Sequence, residues 1–318
     1  MKMNRIQFQK GISLNNFLEK YGNEEQCEAA VEDARWPDGF RCPKCSSKDY
    51  YRYRRGSVKI FQCCSCRKQT TLTEGTIFHS SKLPLTRWFQ AMFLLTQNKN
   101  NVSILELRRL IGVSYPAAWR IKHKLMQIMY ERESTTRLSG RVEIDDAYLG
   151  GENPGGKAGR GSENKVPFIA AVQTNEQNHP QYAIFSKVSS FSSAEVTAWA
   201  HRSLVPATLV VSDGLGCFRS VINAGCDQQR EIVGSGRKST SMACFSWVNT
   251  ILGNLKTAIS GTYHAFDFEK YAHRYLGEYQ YRFNRRFDLA GMLSRLIYAA
   301  ARTNKKPEAW LRLAEDWC

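Results

Sequence analysis

The sequence lacks any apolar run of the roughly 18 residues that a membrane-spanning helix requires. Its first residues, MKMNRIQFQKGISLNNF, contain no continuous apolar stretch of the kind that a secretory signal carries. No internal repeat is visible, and no long low-complexity tract apart from one Gly-rich segment. We therefore expect a cytoplasmic protein that has no membrane partner.

Acidic residues are also few. The chain of 318 residues has 29 Asp and Glu against 45 Lys and Arg, which gives a formal net charge of +16. This excess says nothing about the fold, but it favours a polyanionic partner, most often nucleic acid. The alternative is a basic but otherwise ordinary protein. The length permits two domains, or one large domain with an added module.

Ten cysteines in a chain without a secretory signal favour metal binding over disulfides. Four of them form two pairs with the same spacing: Cys42 and Cys45 in CPKC, and Cys63 and Cys66 in CCSC. Two such turns can present four thiolates to one tetrahedral zinc ion. A shell of four thiolates leaves no open position, so the sequence predicts a structural Zn²⁺ in a zinc ribbon. Cys64 is an alternative ligand, but its spacing fits worse.

A helical region follows the cysteines. Residues 85–97 carry a helical apolar stripe, and residues 103–111 and 115–131 predict two helices joined by a turn at Gly112. This pair resembles a helix-turn-helix. Its second helix would present a basic surface that we expect to contact DNA. The basic side chains are Arg120, Lys122, His123 and Lys124. The alternative is a plain helical hairpin whose charges are solvated.

From about residue 138 the pattern becomes mixed α/β. It predicts three strands, a helix, a further strand and then helices. This order is that of a ribonuclease H-like fold. The predicted strands are 141–149, 166–174, 181–188 and 208–212, and the predicted helices are 193–204 and 245–260.

Two aspartates lie at the ends of apolar strand segments: Asp145 in VEIDD, and Asp213 directly after TLVVS. Because side chains alternate along a strand, Glu143 should share a face with Asp145, and Asp146 should point to the other face. Carboxylates that meet at neighbouring strand ends repel each other unless a divalent cation lies between them, and Mg²⁺ favours such oxygen ligands. The alternative is that these aspartates merely cap turns.

A third candidate group lies on the helix predicted for WVNTILGNLK. Asn249 and Lys256 are seven residues apart and therefore share one helix face. An asparagine can offer its carbonyl oxygen to a metal, and a lysine can neutralise a phosphate. The alternative is an ordinary polar stripe on an amphipathic helix.

The Gly-rich segment approaches a phosphate-loop motif, which would bind ATP. Residues 151–158 read GENPGGKA, one residue away from G-x-x-x-x-G-K-[ST]. Ala158 replaces the hydroxyl residue that would hold Mg²⁺, and AGRGSENK does not readily begin a helix. We therefore predict a flexible loop between two strands. Its Lys157 and Arg160 would contact DNA phosphates, unless the loop is simply a solvated turn.

Seven motifs occur together along the chain. They are RWPDGFRCPKC, FQCCSCRKQTTLTEGTIF, SKLPLTRWFQAM, VEIDDAYLGG, SDGLGCF, WVNTILGNLK and YRFNRRFDL. In this order the sequence resembles the prokaryotic insertion-sequence transposases of the IS1595 (ISXO2-like) superfamily, from about Leu14 to Leu289. The resemblance implies an N-terminal zinc ribbon, a helical DNA-binding region and a ribonuclease H-like catalytic domain of the DDE type.

The resemblance also implies roles for single residues. Asp145 matches the family's first acidic residue and Asp213 its second. Asn249 stands where many DDE enzymes have glutamate, and Lys256 matches the lysine seven residues later. By this resemblance Asp145 and Asp213, with Asn249, would hold two Mg²⁺ ions, or Mn²⁺, for nicking the terminal inverted repeats and joining the freed 3′-OH to target DNA. Lys256 would position a phosphate near the cut. Asp146 stands where the family usually has glutamate.

Some branches of this family have Asn or His at the third position, so Asn249 is compatible with an active enzyme. A neutral ligand supplies less charge to the second ion than a carboxylate would. Glu143 or Glu278 could supply an extra carboxylate. The alternative function is that of a catalytically decayed or domesticated transposase, which acts only as a DNA-binding protein.

The partners that we expect are DNA, as terminal inverted repeats and as target, and further copies of the chain, because two ends must be brought together. In a prokaryotic cell such a protein would associate with the nucleoid. The expected segments are an N-terminal helical segment (1–34), the zinc ribbon (35–78), the helix-turn-helix-like region (79–135), the catalytic domain (138–290) and a C-terminal helical tail (291–318). The expected DNA contacts are Arg120, Lys122, Lys124, Lys157, Arg160, Arg285 and Arg286.

Overall fold

The computed structural model of the chain describes residues 9–150, 165–231, 246–263 and 266–314. These residues divide into two compact units, the first formed by residues 1–128 with 287–312, and the second mainly by residues 129–286. Among the described helices, none is long and apolar enough to cross a membrane.

The described part of the chain contains ten α-helices and eight β-strands. The helices are α1 (Leu14–Tyr21), α2 (Glu24–Arg35), α3 (Leu85–Gln97), α4 (Ile104–Ile111), α5 (Tyr115–Glu133), α6 (Ser193–Ser203), α7 (Ser246–Thr262), α8 (Phe268–Asn284), α9 (Leu289–Arg302) and α10 (Glu308–Leu313). The strands are β1 (Tyr50–Arg55), β2 (Val58–Cys63), β3 (Gln69–Thr71), β4 (Arg141–Leu149), β5 (Val166–Thr174), β6 (Pro180–Lys187), β7 (Leu209–Ser212) and β8 (Asp227–Arg230).

In the first unit, β1, β2 and β3 form a small antiparallel sheet. The core of this small sheet is an aromatic cluster. The rings of Trp36 and Phe40 pack on the buried ring of Phe61, with ring centroids 4.7 and 5.1 Å away. Acidic groups of α2 pair with basic groups of the same sheet. The pairs are Glu28 with Arg54, and Glu32 with Arg52 and Lys59.

The two helices predicted around Gly112 are confirmed. Ser103 caps α4 because its side chain accepts the backbone N–H of Glu106, a type of contact typically worth about 1 kcal/mol. Gly112 ends the helix in the left-handed region, at φ 66°, where glycine has no Cβ to clash. α5 then begins at Tyr115, with Pro116 in its first turn as the sequence indicated.

Residues 291–318 were expected to form a C-terminal helical tail, and the described part of this segment contains most of α9 and all of α10. α9 packs on α2 and α3 of the first unit. Its buried side chains, such as Leu293, Leu296 and Ala300, form the apolar face that this packing requires. The side-chain amide of Gln97 donates to the carbonyl of Leu289 at 3.1 Å and fixes the start of the helix.

The second unit is built on a five-stranded sheet in the order β6-β5-β4-β7-β8. β4, β5 and β6 pair antiparallel, whereas β7 pairs parallel with β4, and β8 parallel with β7. This arrangement confirms the predicted ribonuclease H-like α/β architecture. The strand β8 was missed because its sequence, DQQR, has no apolar residue from which a strand could be predicted.

Two apolar clusters cover the two faces of this sheet. Val142 and Ile144 of β4 face a cluster that includes Trp199 of α6 and the 3-10 helix Gly216–Ala224. Ala147 and Leu149, of the opposite parity, face a cluster built with α7 and α8. The period of two along β4 therefore holds at these buried positions, and each face carries its own helices.

Within the second unit, α8 passes very close to α5 at Gly277. A Cβ added at Gly277 would lie 2.9 Å from the Cα and 2.8 Å from the Cβ of Tyr130. In α7, by contrast, a Cβ added at Gly253 would meet nothing within 4 Å. Gly277 is therefore required by packing, whereas Gly253 is not.

We predict opposite effects of the same substitution at these two glycines. Gly277→Ala should lower the free energy of unfolding by about 1–3 kcal/mol, because backbone must shift to admit the methyl group. Gly253→Ala should raise it by about 0.5–1 kcal/mol, because alanine has the higher helix propensity. Urea denaturation of both variants measures the difference, and equal effects at the two sites would contradict the close packing of α8 on α5.

Candidate functional site

The register between β4 and β7 brings two aspartates together. The last parallel pair is Ile144 with Ser212, so the next residue of each strand segment is an aspartate, Asp145 or Asp213. Carboxylate oxygens of these two residues and of Asp146 all lie within 4.8 Å of one another. The two aspartates that the sequence analysis singled out therefore do converge.

The position of Asp146 corrects the expectation that it points away from Asp145. β4 loses its partner β7 beyond Ile144, so Asp146 stands at an open edge where its side chain has room to turn. The backbone N–H of Asp146 also donates to the Asp145 carboxylate at 2.9 Å, which draws the two groups together. Alternation gives the face from which a side chain leaves the strand, but the ends of two neighbouring carboxylates at an open edge can still approach each other. The three residues Asp145, Asp146 and Asp213 are called the carboxylate cluster below.

The electrostatics of this cluster are unfavourable for three negative charges. The pKa of Asp145 is raised to about 7, first by burial and then by the charges of Asp146 and Asp213. The backbone N–H of Asp146 and the charge of Lys256 act in the opposite direction but do not compensate. A divalent cation among the carboxylates would remove both the desolvation cost and the repulsion, so these residues fit a hard metal ion such as Mg²⁺.

Asn249 and Lys256 both lie on α7, as predicted. The helix packs on the Asp145 side of the sheet, with Val248 and Leu255 in the same apolar cluster as Ala147. Asn249 is half-buried and Lys256 is exposed. Lys256 is near enough for its charge to lower the pKa of Asp145.

Glu143 and Glu278, which the sequence analysis considered as sources of an extra metal-binding carboxylate, have other partners. Glu143 is buried and accepts hydrogen bonds from Arg141 and from two backbone N–H groups of α7. Glu278 is buried on α8, where it accepts from Arg282 at 3.0 Å. Neither belongs to the clusters of His, Cys, Asp and Glu side chains near enough to share a metal among the described residues.

The four predicted cysteines also converge. The sulfur atoms of Cys42, Cys45, Cys63 and Cys66 lie within 4.8 Å of one another, and Cys64 is outside this group. The two cysteine turns have the same geometry. In each turn, the residue that follows the second cysteine donates its backbone N–H to the carbonyl of the first cysteine: Ser46 to Cys42, and Arg67 to Cys63. Ser46 and Arg67 have nearly equal φ angles, 61° and 58°. Four sulfur atoms so placed fit the closed tetrahedral shell of a structural zinc site.

The basic surface expected on α5 is not formed as predicted. Lys122 is fully buried, and its ammonium donates to the carbonyl of Val102. His123 is buried and stacks on Trp119. Lys124 donates to the carbonyl of Ile77 at 3.0 Å, and burial lowers its pKa. Lys122 and Lys124 are thus directed into the first unit, and of the predicted basic residues on this helix only Arg120 is exposed, where it pairs with Glu308.

The arginines of the YRFNRR motif also bond within the protein. Arg285 pairs with the buried Glu133 and covers the ring of Tyr281. Arg286 donates to the carbonyls of Pro180, Gln181 and Phe283. Both side chains therefore bond within the second unit, and their contact with DNA stays a prediction. Lys157 and Arg160 lie outside the described residues.

Two family models match the chain. Residues 22–69 match the transposase zinc-ribbon domain of the IS1595 family, and residues 137–284 match its ISXO2-like transposase domain. Among curated proteins, an uncharacterised protein in the transposable element ISH50 of Halobacterium salinarum is 30% identical over 135 residues. That match spans 42% of this chain and 44% of the relative, so it covers less than half of the relative's length.

Similar solved structures include two complexes of Mos1. The Mos1 strand transfer complex is 12% identical, with 72% of this chain and 82% of that chain covered and a TM-score of 0.25. For a pre-cleavage Mos1 transpososome the identity is 11%, the coverage 68% and 79%, and the TM-score 0.23. Scores this low establish nothing about this chain.

The fold and the family assignment rest instead on three agreeing observations. The strands of the sheet have the ribonuclease H-like order, and the carboxylate cluster lies where the pairing of β4 with β7 ends. Earlier in the sequence, four cysteines converge as in a zinc ribbon. The two family models match these same parts of the chain and together cover more than half of it. The chain therefore belongs to the IS1595 (ISXO2-like) family of transposases.

Proposed function

We propose that this protein nicks the terminal inverted repeats of its own insertion sequence and joins the freed 3′-OH ends to target DNA. The observation that carries this proposal is the carboxylate cluster, in which three acidic side chains converge although their charges repel. Strand ends of a ribonuclease H-like sheet that hold several carboxylates suit metal-assisted phosphodiester chemistry. The family membership supports the same reaction class.

Asp145, Asp213 and Asp146 would hold the metal ions through their carboxylates, and Asn249 would add its side-chain carbonyl oxygen. When bound, Mg²⁺ or Mn²⁺ would activate the attacking hydroxyl and stabilise the leaving oxygen. Lys256, exposed on the same helix as Asn249, would neutralise a phosphate beside the cut. Asp146 joins the set because its carboxylate supplies the charge that the neutral Asn249 lacks.

DNA binding would fall to the first unit. We propose that the zinc ribbon and the pair α4–α5 recognise the repeats, with Arg120 exposed near the start of α5. Two repeats must be held at once, which requires at least two copies of the chain on DNA. The alternative, a transposase that binds DNA but has lost catalysis, is favoured only by Asn249.

Strand joining tests the function directly. Labelled inverted-repeat DNA is incubated with a plasmid target, Mg²⁺ and protein, and joined products are counted. Asp145→Ala should reduce joining by more than about 100-fold, since loss of a group that merely supports a ligand already costs about 10–100-fold. The matched control is Asp227→Ala, an exposed aspartate that pairs with Leu209 at the other end of β7 and should leave joining unchanged.

The same assay separates catalysis from the binding-only alternative. Asn249→Ala should lower joining by about 10-fold or more, whereas Asn249→Asp should retain it, because the ligand oxygen stays in place and gains charge. Asn254→Ala, an exposed asparagine on the same helix, serves as control. If the natural protein binds the repeats but joins nothing in Mg²⁺ or Mn²⁺, the binding-only function replaces the one proposed.

The raised pKa of Asp145 predicts how stability depends on pH without metal. In the unfolded chain an aspartate has a pKa of about 3.9, and in the folded protein that of Asp145 is about 7. Between these values only the folded state keeps the proton, so the free energy of unfolding falls as pH rises through this window and levels off above it. The fall should approach about 1.4 kcal/mol per pH unit.

Asp145→Asn should abolish this component, because the amide carries no charge at any pH. In buffer without Mg²⁺ or Mn²⁺, the free energy of unfolding of the natural protein should decline from pH 4.5 to pH 7 relative to that of the variant. Mg²⁺ added at pH 8 should stabilise the natural protein more than the variant, which lacks one of the proposed ligands. Urea denaturation at each pH measures both effects, and parallel curves for the two proteins would be the opposite result.

We also propose that the four cysteines bind one structural Zn²⁺ per chain. Cys63→Ser should lose the zinc and lower the melting temperature, because a structural zinc site contributes folding free energy directly. Cys64→Ser, at the neighbouring position outside the sulfur cluster, should retain one zinc. Zinc content by mass spectrometry of metals decides the matter, and loss of zinc in the Cys64 variant with retention in the Cys63 variant would reverse the assignment.

A further inference from the structure

Glu143 is a buried carboxylate that links a strand to the start of a helix. Its side chain is 0% exposed. One carboxylate oxygen accepts the backbone N–H groups of Trp247 and Val248, both at 3.0 Å. The other oxygen accepts from the guanidinium of Arg141 at 2.9 Å. A fully buried charge is costly unless it is bonded in this way.

The helix end explains why a carboxylate stands at this position. The first N–H groups of a helix have no partner within the helix, and Glu143 satisfies two of them in α7. The positive end of the helix dipole further favours a negative group there. A second contact reinforces the link, because the indole N–H of Trp247 donates to the backbone carbonyl of Asn178, whose side chain accepts from Arg141.

The same contacts connect two parts of the proposed active site. Glu143 precedes Asp145 by two residues on β4, so the two side chains leave the same face of the strand about 7 Å apart. Asn249 follows Val248 directly on α7. The strand that carries Asp145 and the helix turn that carries Asn249 are thus joined through one side chain.

We propose that Glu143 is a positioning residue, which fixes the first turn of α7 to β4 and so determines where Asn249 stands relative to Asp145. This inference rests on the proposed function, in which Asn249 is a metal ligand. Glu143 itself lies outside the group of side chains near enough to share a metal. Its contribution to metal binding therefore passes through Asn249.

A double-mutant cycle in the full-length chain tests this directly. Mn²⁺ affinity is measured by electron paramagnetic resonance for the natural protein, Glu143→Ala, Asn249→Ala and the double variant. Each single variant should lose about 10-fold in affinity. The double variant should lose no more than either single variant, because a ligand that is absent needs no positioning. A loss of about 100-fold in the double variant, the product of the two, would overturn the proposal.

Glu133→Ala is the matched control. Glu133 is also a buried glutamate of the second unit, but it anchors α8 through Gln280, Asn284 and Arg285 and makes no contact with α7 in the hydrogen bonds described. Glu133→Ala should lower the stability of the protein, but its effect on Mn²⁺ affinity should add to that of Asn249→Ala. If Glu133→Ala shows the same non-additivity with Asn249→Ala, general loosening of the unit explains the effect and the positioning role is wrong.

Amide hydrogen exchange supplies a readout that needs neither metal nor DNA. In Glu143→Ala the peptide covering residues 246–252 should exchange faster, whereas in Glu133→Ala it should not. Glu143→Gln keeps an acceptor oxygen for the two N–H groups and should restore most of the protection and of the Mn²⁺ affinity. Unchanged exchange in Glu143→Ala would contradict the anchoring itself.

These results also separate the inference from the function on which it rests. If the natural protein joins no DNA but the Mn²⁺ cycle is non-additive, the proposed catalysis fails and the positioning role stands. If joining occurs and the cycle is additive, catalysis stands and Glu143 is only structural.

Discussion

The parallel pairing of β4 with β7 is the constraint on which the candidate site depends. Ile144 and Ser212 form the last pair of the two strands. The residue that follows each of them therefore lies at the same level along the sheet, and in both cases it is an aspartate. A slip of one residue would move the side chains of β4 to the opposite faces and separate the carboxylates. The register is fixed by the two apolar clusters that cover the sheet. Packing far from the carboxylates thus decides that they meet.

Burial and the convergence of the carboxylates make ionisation of Asp145 unfavourable, and this raises its pKa to about 7. Other buried carboxylates of the second unit are compensated within the protein. Glu143 has Arg141 and two backbone N–H groups, and Glu133 has Arg285 and two side-chain amides. The carboxylate cluster differs because its neighbours are themselves acidic. Acidic groups that are left in mutual repulsion while others are compensated fit the cation site proposed for them.

The elements that the sequence predicted well are those whose signal is local. Apolar runs located β4, β5, β6 and β7, and the repeated spacing of cysteines located the ribbon site. The partners of charged side chains were not predictable in this way. The burial of Lys122 depends on the carbonyl of Val102, which lies on a different segment, and Glu143 meets α7 across more than a hundred residues. Such contacts are created by tertiary packing, and no local pattern in the sequence encodes them.

The bonding partners of the basic residues determine how much each would contribute to the attraction of DNA expected from the net charge of +16. Arg286 bonds to backbone carbonyls, which are neutral, so these bonds do not cancel its positive charge although the group does not project outward. Arg285 and Arg120 pair with carboxylates, which cancel most of their charge at a distance. Attraction of a polyanion depends on the summed charge within about a Debye length, 8–10 Å. Under the proposed function, an arginine bonded to carbonyls would therefore still contribute to the attraction of DNA, whereas an arginine paired with a glutamate would contribute little.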